Sequence, residues 1–554
     1  MGASLSERSL LIAWSVVAAI AIAWQLGSYP LLDADEGRNA EVGREMAATN
    51  DYVMPRLDGL PYLDKPIVYF AAEAATMEVA GPTEFAARFP SWLFTIATAL
   101  LLAWFAARVE ISGPLAAIIF LSMPLTIAFA RTVIFDSALS FFITLALIAF
   151  YLEIPALAWA AMALGVITKG PVAIAVPMLV AIPYAIWRKN ARHLASVAGL
   201  ALFVVIIAPW VWAISLEVPD FLRYVLVTET AQRLTTGALK RTGPPWYFIP
   251  YLIGGAFPWI FAMFEKRKLD WLDRFLLLWI AVPFIFFSLS QSKRPQYILP
   301  LMPAIALYVA RRAQPGRAAA IATAVAGALV LAAIPFVHLP YGLHAAIAIG
   351  ICALVFGAIA IAARGALAWI ALSIPMLAIP MVSMATMNEV AERRSTKSFM
   401  ANLQPYAANS DVVGIEAFTG SMAFYLRRPI VIVSPDGEEL TSNYVVRHYS
   451  DFAGKTALRP ISWLPEALTH RGTVFIVRST DAANRALVES HGGRLIAQSP
   501  HFVAYTMPRC CAASTASSPS AVRRSAIRKF STGWAKRCAI AGRTDARCSR
   551  IPTP

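Results

Sequence analysis

Charged residues and cysteines are both scarce in this sequence. Only 15% of its 554 residues are charged and 58% are hydrophobic, with a mean hydropathy of +0.60. Soluble domains are about 25% charged. Apolar runs of about 17–25 residues, long enough to cross a bilayer, recur along the chain. The composition excludes a soluble enzyme and predicts a polytopic α-helical membrane protein.

The few cysteines provide neither a disulfide framework nor metal-ligand spacing. Cys352 lies in an apolar run, and the others lie near the C-terminal end: Cys510, Cys511, Cys538 and Cys548. The sequence also lacks a Gly-rich phosphate loop and a G-x-G-x-x-G motif, which argues against a nucleotide-binding fold. No cofactor is therefore assigned from motifs of these kinds.

The positive net charge is concentrated in one segment. Residues 509–554 contain ten Lys or Arg and one Asp, and so carry +9 of the total +15. Most of the remainder lies in short loops, where basic residues set membrane orientation. We therefore predict no nucleic-acid partner. The Ser/Ala/Arg-rich segment is predicted to be disordered, with binding to anionic lipid as the alternative.

About thirteen membrane spans are predicted. Arg8 precedes the first, and no small-residue cleavage site follows it, so we expect a retained anchor and not a removed signal peptide. The spans lie near 10–30, 85–107, 113–131, 133–152, 154–169, 171–187, 194–215, 246–264, 273–290, 297–310, 318–338, 343–363 and 366–387.

The short loops richest in Lys and Arg alternate along the chain, which places them and the N-terminus in the cytoplasm. Loops 31–84 and 216–245 are then external, as is everything after about residue 388. Residues 1–390 are predicted to form a transmembrane catalytic domain. Short β-branched runs such as "DVVGIEAF" and "GTVFIVRST" predict a small periplasmic α/β domain at 391–508, followed by the basic tail 509–554.

Charged residues gather at the predicted external ends of the spans. Residues 31–70 alone contain eight acidic and four basic residues, and an acid inside an apolar span, such as Asp136, is expensive and indicates function. The basic side chains can hold a phosphate, while a carboxylate can take a proton. The candidate site residues are Asp35, Glu36, Arg38, Asp64, Lys65, Arg131, Asp136, Lys169, Glu229, Arg233, Lys293, Arg294 and Tyr297.

Simpler explanations exist for several of these residues. Residues 36–45 can form an amphipathic helix at the membrane surface, kept soluble by its ion pairs. Lys169 and Lys293 can extend to the lipid headgroups, and Asp136 can pair structurally with Arg131. A transporter is the main rival class, but it would place polar groups near the midplane within repeated halves.

Several motifs in fixed order resemble a known family. "DADEGRNAEVGREM" and "YVMPRLDGLPYLDKPIVYF" resemble the first external loop of bacterial glycosyltransferases related to aminoarabinose transferase and protein O-mannosyltransferases. "RTVIFDSAL", "ITKGP", "FLRYVLVTETAQRL", "PPWYFIPYL" and "SKRPQYILPLMP" follow in the same order as the family's later motifs. The resemblance implies the membrane-embedded GT-C architecture.

The resemblance also implies a reaction and its residues. A sugar would be transferred from a polyprenyl-phosphate donor to a lipid or glycan of the cell envelope, at the periplasmic face of the inner membrane. Asp35 and Asp136 would be the catalytic carboxylates, with Glu36 and Arg38 in the same cluster. Residues expected at the donor phosphate are Lys65, Arg233 and Tyr297, with Lys293 and Arg294 beside them.

Two departures from the family pattern concern the substrate and a metal. Asn39 stands where an aromatic residue is common, and Asp64 stands where aminoarabinose transferases have a glutamate that can join a metal site. A divalent metal therefore stays possible. The sugar can be 4-amino-4-deoxy-L-arabinose-like, and the acceptor can be a lipid A phosphate or a sugar or protein hydroxyl.

Overall fold

The computed structural model describes residues 5–191, 194, 196–225, 243–264, 268–312 and 314–507. Two predicted site residues, Glu229 and Arg233, lie outside these ranges, and so does the tail 509–554.

Apolar helices account for most of the described chain. Six are long and apolar enough to cross a bilayer: Ser6–Ala23, Glu84–Arg108, Val197–Glu217, Trp271–Leu289, Arg317–Phe336 and Leu343–Ala362. Two bent helix pairs would each add a span if the pair crosses as one unit: Gly113–Leu121 with Pro124–Ala130, and Ala366–Val382 with Met384–Arg394. Four shorter apolar helices are Asp136–Tyr151, Pro155–Lys169, Val172–Trp187 and Pro295–Ala310. The chain is a multi-pass membrane protein.

The predicted spans all coincide with helices, but fewer than thirteen reach full length. Span 246–264, for example, folds as Phe248–Gly255 followed by a 3-10 helix, Trp259–Phe264. Proline causes the sharpest break, a 74° bend before Pro124, because proline has no N–H with which to continue a helix. Trp259 contacts this bend by donating its indole N–H to the Ser122 hydroxyl at 3.0 Å.

The 31–84 loop is folded, and its first helix is largely buried. It contains Asp35–Thr49, hereafter the loop helix, then the hairpin β1 (Arg56–Leu57) and β2 (Leu60–Pro61), then the helix Val68–Ala80. Ten of the 15 residues of the loop helix are buried, several of them charged. The alternative of a helix kept soluble by exposed ion pairs is therefore wrong.

The C-terminal part is an α/β domain with a six-stranded mixed sheet in the order β5-β4-β3-β6-β8-β7. Its helices of seven or more residues are Lys397–Ala407, Gly420–Leu426 and Ala482–Ser490, with shorter turns at Asn443–Arg447, Tyr449–Phe452 and Leu464–Ala467. Strands β3, β4, β5 and β6 pair in parallel, and β8 pairs antiparallel with β6 and β7. The strands are β3 (Val412–Ile415), β4 (Val431–Val433), β5 (Leu458–Arg459), β6 (Val474–Arg478), β7 (Arg494–Gln498) and β8 (Phe502–Thr506).

The α/β domain shares a hydrophobic core with the 31–84 loop. One buried cluster includes Val42 of the loop helix, Phe135 before the helix Asp136–Tyr151, and Ile432 of strand β4. The loop helix approaches the domain closely because Gly37 has no side chain. A Cβ there would lie 2.6 Å from the backbone nitrogen of Ser421. The loop and the domain are thus packed as one body.

Candidate active site

Asp35 begins the loop helix and lies between two arginines. Its Oδ1 accepts a hydrogen bond from Arg38, one turn later, at 2.6 Å, and its Oδ2 accepts one from Arg294 at 2.7 Å. Burial alone would raise the pKa of Asp35, but Arg38 and Arg294 lower it to about 2. The side chain is still 41% exposed. Asp35 is therefore an ionised and accessible carboxylate.

Asp136 begins its helix beside Lys169, the last residue of the helix Pro155–Lys169. The Lys169 ammonium donates to Asp136 Oδ1, and it lies 5.2 Å from the ring centroid of Tyr297 and 5.6 Å from that of Phe135. Asp136 is only 2% exposed, and a buried carboxylate of this kind requires a cationic partner. The structure therefore pairs Asp136 with Lys169, and the alternative of a structural pair with Arg131 is wrong.

The rings of Phe135 and Tyr297 lie close to the lysine ammonium groups of the site. Lys65 lies 5.8 Å from the Phe135 ring centroid, on a ring that Lys169 also contacts. Tyr297 lies in the 3-10 helix Pro295–Leu301, and Arg294 is the residue that precedes this helix. The structure thus gathers carboxylates and cations from five separate stretches of sequence: Asp35, Arg38, Lys65, Asp136, Lys169, Arg294 and Tyr297.

Glu36 is buried and is paired with Arg88 behind the site. Its two oxygens accept hydrogen bonds from Arg88 at 3.1 and 2.8 Å, and Oε1 also accepts from the backbone N–H of Val133 at 2.9 Å. Asn39 donates to the carbonyl of Val133 at 2.9 Å. The loop helix therefore fixes the segment that leads into Phe135 and Asp136, which corrects the expected catalytic role of Glu36.

Lys293 and Arg131 also bind backbone carbonyl groups. The Lys293 ammonium donates to Ser288 O at 2.6 Å and to Ser290 O at 2.7 Å, at the end of the helix Trp271–Leu289. Arg131 donates to Ile22 O at 2.5 Å and to Trp24 O at 2.8 Å. Of the neighbouring pair predicted at the donor phosphate, Arg294 reaches Asp35 whereas Lys293 completes a helix end.

Known proteins have similar sequences and a similar fold. A family described as dolichyl-phosphate-mannose-protein mannosyltransferase matches residues 12–225. The undecaprenyl phosphate-alpha-4-amino-4-deoxy-L-arabinose arabinosyl transferase of Aeromonas salmonicida is 32% identical over 311 residues, 52% of this chain and 57% of that protein. Its namesake in Serratia proteamaculans is 33% identical over 337 residues, 55% and 60% of the two chains.

The similarity in structure extends further than the similarity in sequence. The crystal structure of ArnT from Cupriavidus metallidurans bound to undecaprenyl phosphate has a TM-score of 0.77 and 24% identity, over 92% of this chain and all of that chain. The chain has the GT-C membrane fold. Over part of its length, its sequence is similar to those of the bacterial aminoarabinose transferases. By sequence, the matched region spans slightly less than two thirds of the curated relatives.

Asp64 has a different role from the metal ligand considered in the sequence. Its Oδ1 accepts a hydrogen bond from the Tyr224 hydroxyl at 2.8 Å, and its Oδ2 accepts one from the Asn443 side-chain amide at 2.9 Å. The Asn443 backbone N–H adds a further contact at 3.1 Å. In the part of the chain that the structure describes, no three His, Cys, Asp or Glu residues are grouped to hold a metal. These residues do not fit a metal site.

Several supporting residues could not be identified from sequence motifs. Arg88 is fully buried and binds Glu36 together with the carbonyls of Tyr29 and Pro30. Its signal is a single charged residue in the stretch "FAARFPSWLF". A charge placed there is expensive unless it is paired, so this arginine indicated a buried partner.

Proposed function

We propose that the protein is a membrane glycosyltransferase that moves a sugar from a polyprenyl-phosphate donor to an acceptor. The observation that carries the proposal is the Asp35 carboxylate, ionised between two arginines and adjoining a second cluster of Lys65, Lys169 and Asp136. The similarity to transferases named for undecaprenyl phosphate supports the same donor class.

In the proposed reaction, an acceptor oxygen attacks the anomeric carbon of the donor. The bond from that carbon to the phosphate oxygen breaks, and the phosphate leaves with the electron pair. Lys65 and Tyr297, with Arg233 assigned from its sequence motif, stabilise the growing negative charge on the phosphate. When the acceptor is a hydroxyl, Asp35 takes its proton. An acceptor phosphate is already ionised and needs no such base.

The proposed acceptor is a lipid A phosphate, and the proposed sugar is an aminoarabinose-like pentose. The sugar follows the names of the relatives, and the acceptor follows the resemblance of the sequence motifs to the aminoarabinose transferases. The proposed location is the bacterial inner membrane, with the N-terminus in the cytoplasm and with the site and the α/β domain on the periplasmic side. The distribution of Lys and Arg over the short loops supports this orientation.

A second candidate is a protein O-glycosyltransferase that uses the same donor class. It is favoured by the match of residues 12–225 to a protein mannosyltransferase family. The two candidates differ in the acceptor, and therefore in whether Asp35 must act as a base.

Deletion of the gene, followed by mass spectrometry of lipid A and of envelope glycoproteins, tests the proposal. Loss of a sugar from lipid A supports the first candidate, and loss from a protein supports the second. Restoration by the wild-type gene and by Lys455→Ala, an exposed lysine of the α/β domain, but not by Lys65→Ala, would assign the loss to this site. An unchanged sugar content in every lipid and protein would contradict transfer altogether.

A further inference from the structure

A cavity of about 340 Å³ lies between the α/β domain and the two residues that precede Asp35. Asp33 and Ala34 form one wall. The other walls come from the end of the helix Met384–Arg394, the end of strand β6 and the turn before strand β8. The basic side chains that line it are Arg393, Arg394, Arg478 and His501.

The three arginines of this cavity lack carboxylate partners among the residues that the structure describes. Arg393 lies 4.4 Å from the ring centroid of Tyr341, and within the described ranges Arg478 donates only to the carbonyl of Glu416, at 2.6 Å. Like charges that line one small cavity repel each other, and a bound anion would offset the repulsion. The cavity therefore has the charge of an anion site.

The carboxylate that lines this cavity, Asp33, binds hydroxyl groups of the α/β domain. Asp33 Oδ2 accepts hydrogen bonds from the hydroxyls of Ser421 and Thr419, the second at 3.2 Å. The backbone N–H of Asp33 donates to the carbonyl of Arg394 at 3.0 Å, which holds the wall in place without neutralising the arginine. The guanidinium groups are thus left for a ligand.

A second cavity of about 210 Å³ continues from the first toward the candidate active site. It shares Ala34, Thr419 and Arg478 with the first cavity and adds Arg38. Arg38 in turn donates to Asp35. Two acidic residues, Glu438 and Glu439, line its far side, and Glu439 accepts from Ser434 at 2.6 Å. We call the two cavities together the arginine groove.

We infer that the arginine groove binds a second, non-reacting phosphate of a glycolipid acceptor that carries two phosphates. The inference rests on the proposed function and adds a specificity site to it. The planar guanidinium fork matches a phosphate in two hydrogen bonds. Asp35 does not line the groove, so a phosphate held by Arg393, Arg394 and Arg478 is an anchor, while the reacting group lies beside Arg38 and Asp35.

The test compares bis-phosphorylated with mono-phosphorylated lipid A as acceptors for the purified full-length protein. The wild type is expected to have a KM about tenfold or more lower for the bis-phosphorylated acceptor, because the second phosphate adds a charge-assisted hydrogen bond. Arg394→Gln with Arg478→Gln is expected to abolish this preference, with kcat and the binding of undecaprenyl phosphate unchanged. Arg471→Gln, an exposed arginine of the same domain, is the matched control and keeps the preference.

Other outcomes separate the inference from the proposed function. An equal preference in the wild type and the double variant overturns the arginine groove while leaving transfer intact. Protection against thermal unfolding by inorganic phosphate that needs both arginines, without any change in KM for lipid A, also overturns it and assigns the cavity to free phosphate. A wild type that binds no undecaprenyl phosphate and transfers no sugar would instead contradict the proposed function.

Discussion

The loop helix carries acidic residues in two contrasting environments. Asp35, at its first position, is exposed and held by two arginines, and its pKa is lowered to about 2. Glu41, two turns later, is fully buried. Burial raises its pKa, and although hydrogen bonds from Arg44 oppose this, the pKa reaches about 8. The pKa of an acidic residue is thus lowered at the first position of the helix and raised near its middle.

The two environments differ in the number of cations around each carboxyl group. Arg44 serves a buried group that contains Glu41, Glu45 and Asp58, so three carboxyl groups share one cation. Asp35 contacts two arginines, Arg38 and Arg294. A carboxylate needs solvent access or surplus positive charge to stay ionised, and only the start of the helix provides both. We therefore assign the proposed chemistry to that end of the helix.

The largest expected effect is at the exposed end. Asp35→Asn removes the ionised group and is expected to reduce transfer to a hydroxyl acceptor by about 10²–10⁴-fold, the range for general-base catalysis. Sugar transfer by purified protein in detergent measures this, with thermal unfolding as the check on folding. Asp451→Asn, on the exposed surface of the α/β domain, is the control. Full activity of Asp35→Asn would end the assignment of Asp35.

The next effect is at the buried support. Arg88→Ala leaves Glu36 buried without its cation, which is expected to lower the free energy of unfolding by about 3–5 kcal/mol. The measurement is denaturation in detergent. A well-folded Arg88→Ala protein with reduced transfer would contradict a purely structural role for this pair, because Glu36 and Arg88 would then act on the reaction directly.

A neighbouring pair sharpens the contrast between contact and support. Arg294→Gln removes one of the two cations at Asp35 and is expected to lower transfer about 10–100-fold, the effect of one charge-assisted hydrogen bond. Lys293→Gln is expected to leave transfer nearly unchanged, since Lys293 donates hydrogen bonds only to the carbonyls of Ser288 and Ser290 among the described residues. Steady-state kinetics of both variants checks this. Equal losses of transfer activity in the two variants would support the prediction from sequence that Lys293 lies at the donor phosphate.

The smallest effect concerns pH. Burial raises the pKa of folded Glu41 to about 8, against an ordinary value of 4.5. The folded state therefore binds more protons than the unfolded state between these values, and the contribution of Glu41 to stability falls as pH rises through them. Asp35 has the opposite sign, because its contribution is lost as pH falls from 3.8 toward 2.

Glu41→Gln is accordingly expected to flatten the fall in Tm between about pH 5 and 8. Thermal unfolding in detergent at several pH values measures it. Glu489→Gln, in the helix Ala482–Ser490 of the α/β domain, is the control and keeps the wild-type slope. A Glu41→Gln protein with that same slope would show that Glu41 is ionised when folded.

Much of the fold and part of the site follow from sequence. Apolar length locates the spans because the bilayer allows few alternatives. The cost of a charge in an apolar span singles out Asp136 in the same way. Its partner could not be predicted, since Arg131 is nearer in sequence and Lys169 lies nearer in space. Arg393 and Arg478 are separated by most of the α/β domain and meet only through tertiary packing, so no local pattern indicated the arginine groove.

The contacts of Asp58 and Asp64 have a consequence for exchanging parts between related transferases. Asp58 Oδ1 accepts the backbone N–H of Ile430 at 2.8 Å, and Asp64 accepts that of Asn443 at 3.1 Å. Both donors belong to the C-terminal domain, and both acceptors belong to the loop that carries Asp35 and Lys65. In a chimera with the C-terminal domain of another transferase, that domain must place backbone N–H groups at the same positions, or these buried acids lose hydrogen-bond donors. We therefore expect a folded chimera only when the loop and the domain are exchanged together.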